Sequence, residues 1–272
     1  MLSLMCHLKL YKPYLVCLLA ITLLAVSGCQ PGRDRYAPFI TTPQVYPPDI
    51  PDEIGSVNEI LGYSLRNRPI EMVTLGSGPD TVLIIASIHG NEDAGTPLVY
   101  KLIDRLREQP TLLDGRTVWI MPVANPDGRA LRTRGNAAGI DLNRNFPAEN
   151  RINNAVNGFA GLTEPESAIL YDLILARRPA RIVTIHQPLY CLDYDGPGEQ
   201  LARAMAVDCP LPVKKLGSRP GSLGSFAGTE QNIPIITMEL AKEDSQLTPD
   251  QLWTLYGRAI LAAVKGANSA TN

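Results

Sequence analysis

The chain has 272 residues, of which 45% are hydrophobic and 19% charged, and its formal net charge is −2. This composition is typical of a globular protein with a sizeable core, and it excludes the strongly basic surface that nucleic-acid binding needs. No internal repeat occurs, which excludes solenoids and propellers.

A leader occupies the start of the chain. Lys9 and Lys12 precede an apolar run at 14–26, and small residues follow it up to Cys29. A basic start, a short apolar stretch and a small-residue exit are typical of a secretory signal. The run is shorter than the roughly 20 residues that a membrane-spanning helix needs. We therefore expect residues 1–28 to be a signal peptide.

The end of the leader, Val26-Ser27-Gly28-Cys29, resembles the bacterial lipobox. The resemblance implies that Cys29 carries a lipid, which anchors the protein to a membrane of the bacterial cell envelope. Gln30 after the cysteine is similar to lipoproteins that are sent to the outer membrane, so we expect a position on its periplasmic side. Cleavage without a lipid and a retained N-terminal anchor are the alternatives.

The stretch from 29 to 52 is rich in proline, which predicts an extended linker. A single folded domain is expected from residue 53 to residue 272. It contains two cysteines, Cys191 and Cys209, which lack the spacing of a zinc ribbon, and we interpret both as structural. An oxidising compartment permits a disulfide between them, a point that the sequence leaves open.

Strands and helices alternate along the predicted domain. Uniformly apolar runs predict four buried strands, at 81–88, 117–123, 181–185 and 233–238. Amphipathic patterns predict four helices, at 95–108, 164–178, 199–207 and 249–267. Capping boxes are expected at two helix starts, Thr163 with Glu166 and Thr248 with Gln251. This order predicts an α/β fold with a largely parallel or mixed sheet, in which ligands bind at the carboxyl ends of the strands.

Two histidines lie at the carboxyl ends of predicted strands. His89 begins an H-x-x-E motif with Glu92, and His186 follows a strand far away in the sequence. Two imidazoles and one carboxylate form a catalytic zinc site with a fourth position open for water. Taken alone, His89 fits a hydrogen-bonded surface histidine and His186 a satisfied core histidine. Their equivalent positions at two strand ends favour a metal site.

A carboxylate, Glu239, follows the fourth predicted strand directly. Burying a carboxylate costs free energy unless another group uses the charge. Beside a zinc site, a glutamate can take a proton from water and pass it to a leaving amine. The alternative for Glu239 is an ion pair with Lys242 at the exit of the strand.

Asparagine, aspartate and arginine are concentrated between residues 125 and 147. Acyl chemistry needs a cation near the developing oxyanion, and the forked guanidinium of arginine binds a substrate carboxylate well. Arg132, Arg134 and Arg144 are candidates for these tasks. A solvated charged loop is the alternative for such a cluster.

Taken together, these motifs resemble the zinc carboxypeptidase family in type and order. They are H-x-x-E at 89–92, Asn-Pro-Asp-Gly at 125–128, Asp-Leu-Asn-Arg-Asn-Phe-Pro at 141–147, His186 and Glu239. The resemblance extends from about residue 57 to the C-terminus. It implies a single catalytic domain with a mixed central β-sheet flanked by helices. It also implies one zinc ion, held by His89, Glu92 and His186, with Glu239 as the general base.

The resemblance also assigns residues to substrate binding. It implies that Asn143 and Arg144 bind the carboxylate of the substrate and that Arg134 polarises the scissile carbonyl. Arg132 could take the role of Arg134 after a shift of one or two residues.

The chain departs from the digestive carboxypeptidases, which place a mobile tyrosine over the site upstream of the general base. No tyrosine occurs between Tyr194 and Tyr256, and residues 220–226 read Pro-Gly-Ser-Leu-Gly-Ser-Phe. This loop resembles the murein peptide amidase branch of the family, although glycine and serine could simply form a flexible turn there. The branch implies hydrolysis of the γ-D-glutamyl–meso-diaminopimelate bond of murein peptides. Arg219 is a candidate for binding the far end of diaminopimelate.

Three other functions are alternatives. A general metallocarboxypeptidase would release C-terminal amino acids from L-peptides, and a zinc N-acyl amino acid deacylase shares the metal ligands. The third is a non-catalytic, wall-binding lipoprotein, although the ligands and the base are all present here. The expected partners are a small murein peptide and, through the lipid, a membrane, but no nucleic acid; the oligomeric state is not predicted.

Overall fold

The computed structural model describes residues 56–266. The predicted signal peptide, the lipid on Cys29 and the linker up to residue 52 lie outside the described residues. Within the described range, no helix has both the length and the apolar character needed to cross a membrane.

Seven strands of the described chain form one mixed sheet. They are β1 (Val57–Tyr63), β2 (Pro69–Gly76), β3 (Asp80–Ala86), β4 (Arg116–Met121), β5 (Arg181–His186), β6 (Leu189–Asp195) and β7 (Ile235–Ala241). Their order across the sheet is β1-β2-β4-β3-β5-β7-β6. β4, β3, β5 and β7 are mutually parallel, and β1, β2 and β6 join them through antiparallel pairings.

The helices of the described chain flank this sheet. They are α1 (Gly95–Glu108), α2 (Pro126–Leu131), α3 (Pro165–Arg177), α4 (Glu199–Ala206) and α5 (Pro249–Lys265). Shorter segments include the 3₁₀ turns Pro110–Leu113, Leu142–Arg144 and Lys242–Gln246 and a π-helical segment, Gly224–Glu230. The predicted α/β class, with a mixed sheet flanked by helices, is confirmed.

The four predicted strands and four predicted helices are present, but three strands were not predicted. β1, β2 and β6 escape a search for uniformly apolar runs, because β1 has no fully buried position and exposed or partly exposed positions accompany the buried ones in β2 and β6. The prediction for β7 was also too early, since this strand begins at Ile235 and continues to Ala241. Glu239 consequently lies inside β7 and not after it.

One of the two predicted capping boxes is confirmed and the other is wrong. The hydroxyl of Thr248 accepts a hydrogen bond from the backbone N–H of Gln251, whose side chain bonds back to Thr248. At the start of α3 the N-cap is Glu164, without a side-chain cap. The hydroxyl of Thr163 instead accepts a hydrogen bond of 2.9 Å from Nδ2 of Asn145, because a tertiary contact competes for it.

The two faces of the sheet carry separate cores, which decide where polar residues can lie. Val183 and Ile185 of β5 pack on the face covered by α1, α4 and α5. Ile182 belongs to the core on the other face, with residues of α3 and of the π-helical segment. Because side chains alternate along a strand, Thr184 and His186 point to the same face as Ile182. At the carboxyl end of β5, this second face therefore changes from apolar to polar.

Candidate active site

Three donor atoms converge at the carboxyl ends of β3 and β5. Nδ1 of His89 and Nδ1 of His186 lie 2.9 Å and 2.8 Å from Oε2 of Glu92, and 3.1 Å from each other. All three side chains are buried. Two imidazole nitrogens and a carboxylate oxygen are the donor set of catalytic zinc, whose bonds of about 2.0–2.2 Å place neighbouring ligands slightly more than 3 Å apart. The three residues thus fit a zinc ion, as the sequence predicts.

The strand register explains why these residues meet. β3 and β5 are parallel neighbours, with Ala86 opposite Ile185, so the chain leaves both strands at the same edge. His89 and Glu92 lie in one turn, closed by the backbone N–H of Glu92 and the carbonyl of His89. A Cβ on Gly90, within that turn, would stand 1.9 Å from the carbonyl carbon of Gly128, so glycine permits this close approach.

A ring of hydrogen bonds holds the ligands in place. Nε2 of His89 lies 3.0 Å from Oδ1 of Asp141. Nε of Arg134 donates to Oδ2 of Asp141, and Nη1 of Arg134 donates to Oε1 of Glu92, each at 2.9 Å. When the N–H at Nε2 of His89 donates this hydrogen bond to Asp141, Nδ1 of the same ring keeps its lone pair for a metal ion. A carboxylate behind a histidine ligand fixes both its tautomer and its orientation.

The same ring sets the charges of its members. Burial alone raises the pKa of Glu92, but hydrogen bonds from His186 and His89 outweigh burial and hold that pKa well below its ordinary value. For Asp141, burial raises the pKa, but the hydrogen bond from His89 outweighs burial and lowers the pKa overall. For His89, burial lowers the pKa, but its bonds to Asp141 and Glu92 raise it overall. Both carboxylates are therefore ionised before any metal binds.

Glu239 lies beside this centre. In the pairing of β5 with β7 it stands opposite His186, and its Oε2 accepts a hydrogen bond of 3.2 Å from the backbone N–H of Leu189. The side chain lines the cavity in front of the metal ligands. Among the described residues, no ion pair joins Glu239 to Lys242. The geometry is that expected of a general base, a role that stays a prediction.

The structure distinguishes the two candidate arginines. Arg134 lines the cavity and contacts Glu92 and Asp141. Arg132 is the left-handed residue that ends α2, and its exposed side chain is outside the cavity lining. Position therefore favours Arg134 for carbonyl polarisation, although its role stays a prediction.

Asn143 and Arg144 line the same cavity, as expected of residues that bind a substrate carboxylate. Oδ1 of Asn143 accepts a hydrogen bond of 2.9 Å from the backbone N–H of Leu223, which orients its amide. Nη1 of Arg144 donates to the carbonyl of Asn143 at 2.5 Å. Burial lowers the pKa of Arg144, and the charge of Asp141 opposes that shift. Arg144 is thus a partly desolvated cation, the kind of group that binds a carboxylate strongly.

The cavity has a volume of about 280 Å³, and the loop at 220–226 forms part of its wall. A Cβ on Gly224 would stand 2.2 Å from Oδ2 of Asp195, and one on Gly221 would stand 2.5 Å from the carbonyl of Arg144. Gly221 also has φ +65°, a conformation that glycine adopts readily. The glycines therefore allow close packing of the loop against the site.

Two acidic residues of the site were not identified from the sequence. Asp141 opens the Asp-Leu-Asn-Arg motif, and a carboxylate near a predicted metal site is a candidate partner for a histidine ligand. Asp193 also lines the cavity. The sequence gives only a weak signal for Asp193, because the aspartates at 193 and 195 alternate with larger residues in β6, a strand that the apolar pattern does not predict. The two cysteines interpreted as structural, Cys191 and Cys209, are free thiols here.

Comparison of the sequence with known proteins places the chain in one protein family. A sequence profile described as zinc carboxypeptidase matches residues 53–189, a range that contains all three metal ligands. Murein peptide amidase A of Escherichia coli strain K12 is 36% identical over 201 residues, which cover 66% of this chain and 80% of that protein. Murein peptide amidase A of Vibrio campbellii is 30% identical over 234 residues, which cover 79% of this chain and 86% of that protein.

Solved structures agree. The crystal structure of a murein-tripeptide amidase from Escherichia coli O157 aligns with a TM-score of 0.57 at 29% identity, covering 76% of this chain and 91% of that one. Carboxypeptidase A from Helicoverpa armigera aligns with a TM-score of 0.67 at 22% identity, covering 79% and 69%. The second likeness concerns the fold alone.

Proposed function

The chain belongs to the zinc carboxypeptidase family and is a zinc metallopeptidase, and we propose that it hydrolyses the γ-D-glutamyl–meso-diaminopimelate bond of murein peptides. The observation that carries the proposal is the cavity itself. It joins the His89, Glu92 and His186 centre to the guanidinium groups of Arg134 and Arg144 and to the glycine-serine loop at 220–226. The likeness to two murein peptide amidases supports the choice of bond.

Amide hydrolysis at this site divides into tasks for named groups. A bound zinc ion supplies Lewis acidity, which lowers the pKa of a water molecule and polarises an acyl oxygen. The carboxylate of Glu239 takes a proton from the attacking water. It then gives that proton to the nitrogen of diaminopimelate as the C–N bond breaks, so the products are a free carboxylate and a free amine.

Arg134 and Arg144 would act on different oxygens of the substrate. Arg144, partly buried at the cavity wall with Asn143, is suited to the carboxylate on the carbon next to the scissile nitrogen. Arg134 already contacts two carboxylates of the metal site, so it lies where negative charge develops on the acyl oxygen. Binding and rate enhancement are thereby assigned to separate arginines.

A general metallocarboxypeptidase is the second candidate. It shares the metal ligands and the base, and the fold is equally that of carboxypeptidase A. However, the described residues that line the cavity include no tyrosine, and the wall is built instead from Ser222, Leu223 and Gly224. This wall favours the amidase.

The place of action is part of the proposal. We infer that a lipid on Cys29 holds the domain at the periplasmic side of the outer membrane, where murein peptides occur. Support comes from the lipobox-like stretch at 26–29. Replacing Cys29 by Ser should abolish incorporation of labelled palmitate and release the protein from the membrane fraction. Unchanged labelling of the variant would refute the anchor.

The activity is tested with the tripeptide L-Ala-γ-D-Glu-meso-diaminopimelate. Mass spectrometry should show free diaminopimelate after incubation with the purified full-length protein, none after a chelator, and recovery after zinc is restored. L-dipeptides blocked at the N-terminus should remain intact. An intact tripeptide together with cleaved dipeptides would replace the amidase by the general carboxypeptidase.

A further inference from the structure

The floor of the cavity is made by rows of residues across three neighbouring strands. In one row, His186 of β5 lies opposite Glu239 of β7, which in turn lies opposite Cys191 of β6. This row contains the catalytic groups. The next row, two residues away and so about 7 Å along the strands, lies farther from the carboxyl end of β5.

This second row consists of Thr184, Thr237 and Asp193, paired in the same register. Since side chains alternate along each strand, the row points to the same face as the catalytic row, and all three residues line the cavity. The two threonine hydroxyls lie 3.4 Å apart. The only charged group of the row is therefore the carboxylate of Asp193.

Asp193 is a buried carboxylate with little compensation. Its side chain belongs to a residue that is 7% exposed, and its Oδ1 accepts a hydrogen bond of 2.8 Å from the backbone N–H of Leu216. Within residues 56–266, no lysine or arginine forms an ion pair with it. Burial raises the pKa of Asp193, and the charge of the neighbouring Asp195 acts in the same direction, while the backbone N–H groups of Leu216 and Tyr194 and the charge of Lys215 only partly oppose this rise. Within the described residues, the carboxylate of Asp193 therefore has no cationic side chain as an ion-pair partner.

Asp195, two residues farther along β6, also lines the cavity, but its carboxylate has side-chain partners within the protein. Oδ1 of Asp195 accepts a hydrogen bond of 2.6 Å from the hydroxyl of Ser218 and lies 3.4 Å from Nζ of Lys215. Lys215 also stands 4.4 Å from the ring centre of Tyr194, so its ammonium is directed to that side. Asp195 anchors the segment at 215–218, whereas Asp193 accepts hydrogen bonds from the backbone N–H groups of Leu216 and Tyr194 and forms no ion pair with a lysine or arginine of the described residues.

We propose that Asp193 is a specificity residue that binds the ammonium group on the side chain of the diamino acid released by this enzyme. The inference rests on the proposed function and deepens it. A substrate held by Arg144 with its scissile nitrogen near Glu239 directs its side chain along the cavity floor. Three methylene groups are enough to carry an ammonium group one row inward, to Asp193. A charge-assisted hydrogen bond then forms where a buried carboxylate lacked a cation.

The test compares three full-length proteins on two peptides. The proteins are the wild type, Asp193→Asn and the matched control Asp195→Asn. The peptides are L-Ala-γ-D-Glu joined to meso-diaminopimelate, and the same dipeptide joined to L-2-aminopimelate, which has the same chain and second carboxylate but lacks the side-chain ammonium. Asparagine at 193 keeps an oxygen for the N–H of Leu216, so the wall should stay in place. Asp193→Ser serves as a second variant, and Tm and zinc content are measured for each protein.

For the wild type we expect kcat/KM to be about 10- to 100-fold higher on the diaminopimelate peptide, the range of a hydrogen bond between charged groups. Asp193→Asn and Asp193→Ser should remove most of that preference by lowering kcat/KM on the diaminopimelate peptide alone. Asp195→Asn should preserve the preference. A structural defect would lower kcat/KM on both peptides together. The ratio of the two kcat/KM values therefore reports recognition of the ammonium group.

Two outcomes overturn the inference while leaving the proposed function intact. One is equal cleavage of the two peptides by the wild type. The other is a wild-type preference that survives in both Asp193 variants. If the wild type cleaves neither peptide although zinc is present, the proposed function fails and this inference fails with it.

Discussion

The cavity has two walls that are built in different ways. On one side, His89, Asp141, Arg134 and Glu92 form a closed ring of hydrogen bonds that includes two of the three predicted metal ligands. On the other side, β6 and the loop at 220–226 are held mostly by backbone N–H groups and by glycines that allow close contact. The first wall fixes the reacting groups, and the second shapes the space for the substrate. Chemistry and specificity can therefore be altered separately.

Replacing Glu239, which lies on β7 beside the first wall, by Gln should give the largest effect on the chemistry. The amide cannot accept the proton of water, so kcat should fall by about 10²- to 10⁴-fold. Zinc content should stay unchanged, because Glu239 is not one of the three ligands. Stopped-flow or end-point release of diaminopimelate measures kcat, and Glu243→Gln, an exposed neighbour, is the control. Undiminished hydrolysis by Glu239→Gln would remove this residue from the mechanism.

The next effect concerns the arginines. Arg134→Gln should lower kcat by about 10²- to 10³-fold, the cost of losing one group that stabilises an oxyanion. Arg132→Gln, two residues away and outside the cavity, should behave like the wild type. Steady-state kinetics on the tripeptide decides between them. The opposite ranking would exchange the two arginines and contradict the assignment made from position.

A smaller effect is expected from the carboxylate behind His89. Asp141→Asn removes a charged partner from Nε2 of the ligand histidine, so affinity for zinc should fall by about 10- to 100-fold. Competition with a chromogenic chelator measures that affinity, and Asp114→Asn, on the exposed surface, is the control. Wild-type affinity in Asp141→Asn would show that the ring does not stabilise the metal site.

The smallest effect on chemistry should come from the second wall. Gly224→Ala places a methyl group against Oδ2 of Asp195, and such overpacking costs about 1–3 kcal/mol of unfolding free energy. The variant should have a lower Tm and a higher KM for the tripeptide, with zinc affinity unchanged. Denaturation and chelator competition on the same sample test this. A loss of zinc affinity would mean that the two walls are coupled.

The same contrast explains what the sequence could predict. His89, Glu92 and His186 lie at or just beyond the ends of strongly apolar strands and have the donor types of a metal site, and the structure brings their donor atoms together as the sequence predicts. Their role as zinc ligands stays a prediction. Residues near them in the motif, such as Asn143 and Arg144, lie in the cavity as expected. Local sequence signals were sufficient because both strands are buried on each face.

The second wall carried weaker signals. β6 is an edge strand in which charged and apolar residues alternate, and Asp193 acquires meaning only when the pairing with β7 places it beside Thr237. The capping hydroxyl of Thr163 was similarly misassigned because a distant residue, Asn145, competes for it. Cross-strand register and tertiary hydrogen bonds are not local properties of a sequence, so they had to come from the structure.

The most direct test of the account is to identify the bond that breaks. The full-length protein is incubated with L-Ala-γ-D-Glu-meso-diaminopimelate in water enriched in ¹⁸O, and the products are examined by mass spectrometry. We predict that one ¹⁸O atom enters the γ-carboxylate of the released L-Ala-D-Glu and that diaminopimelate is released unlabelled. Release of free alanine, with the label in its carboxylate, would contradict the proposed cleavage and require another substrate orientation in this cavity.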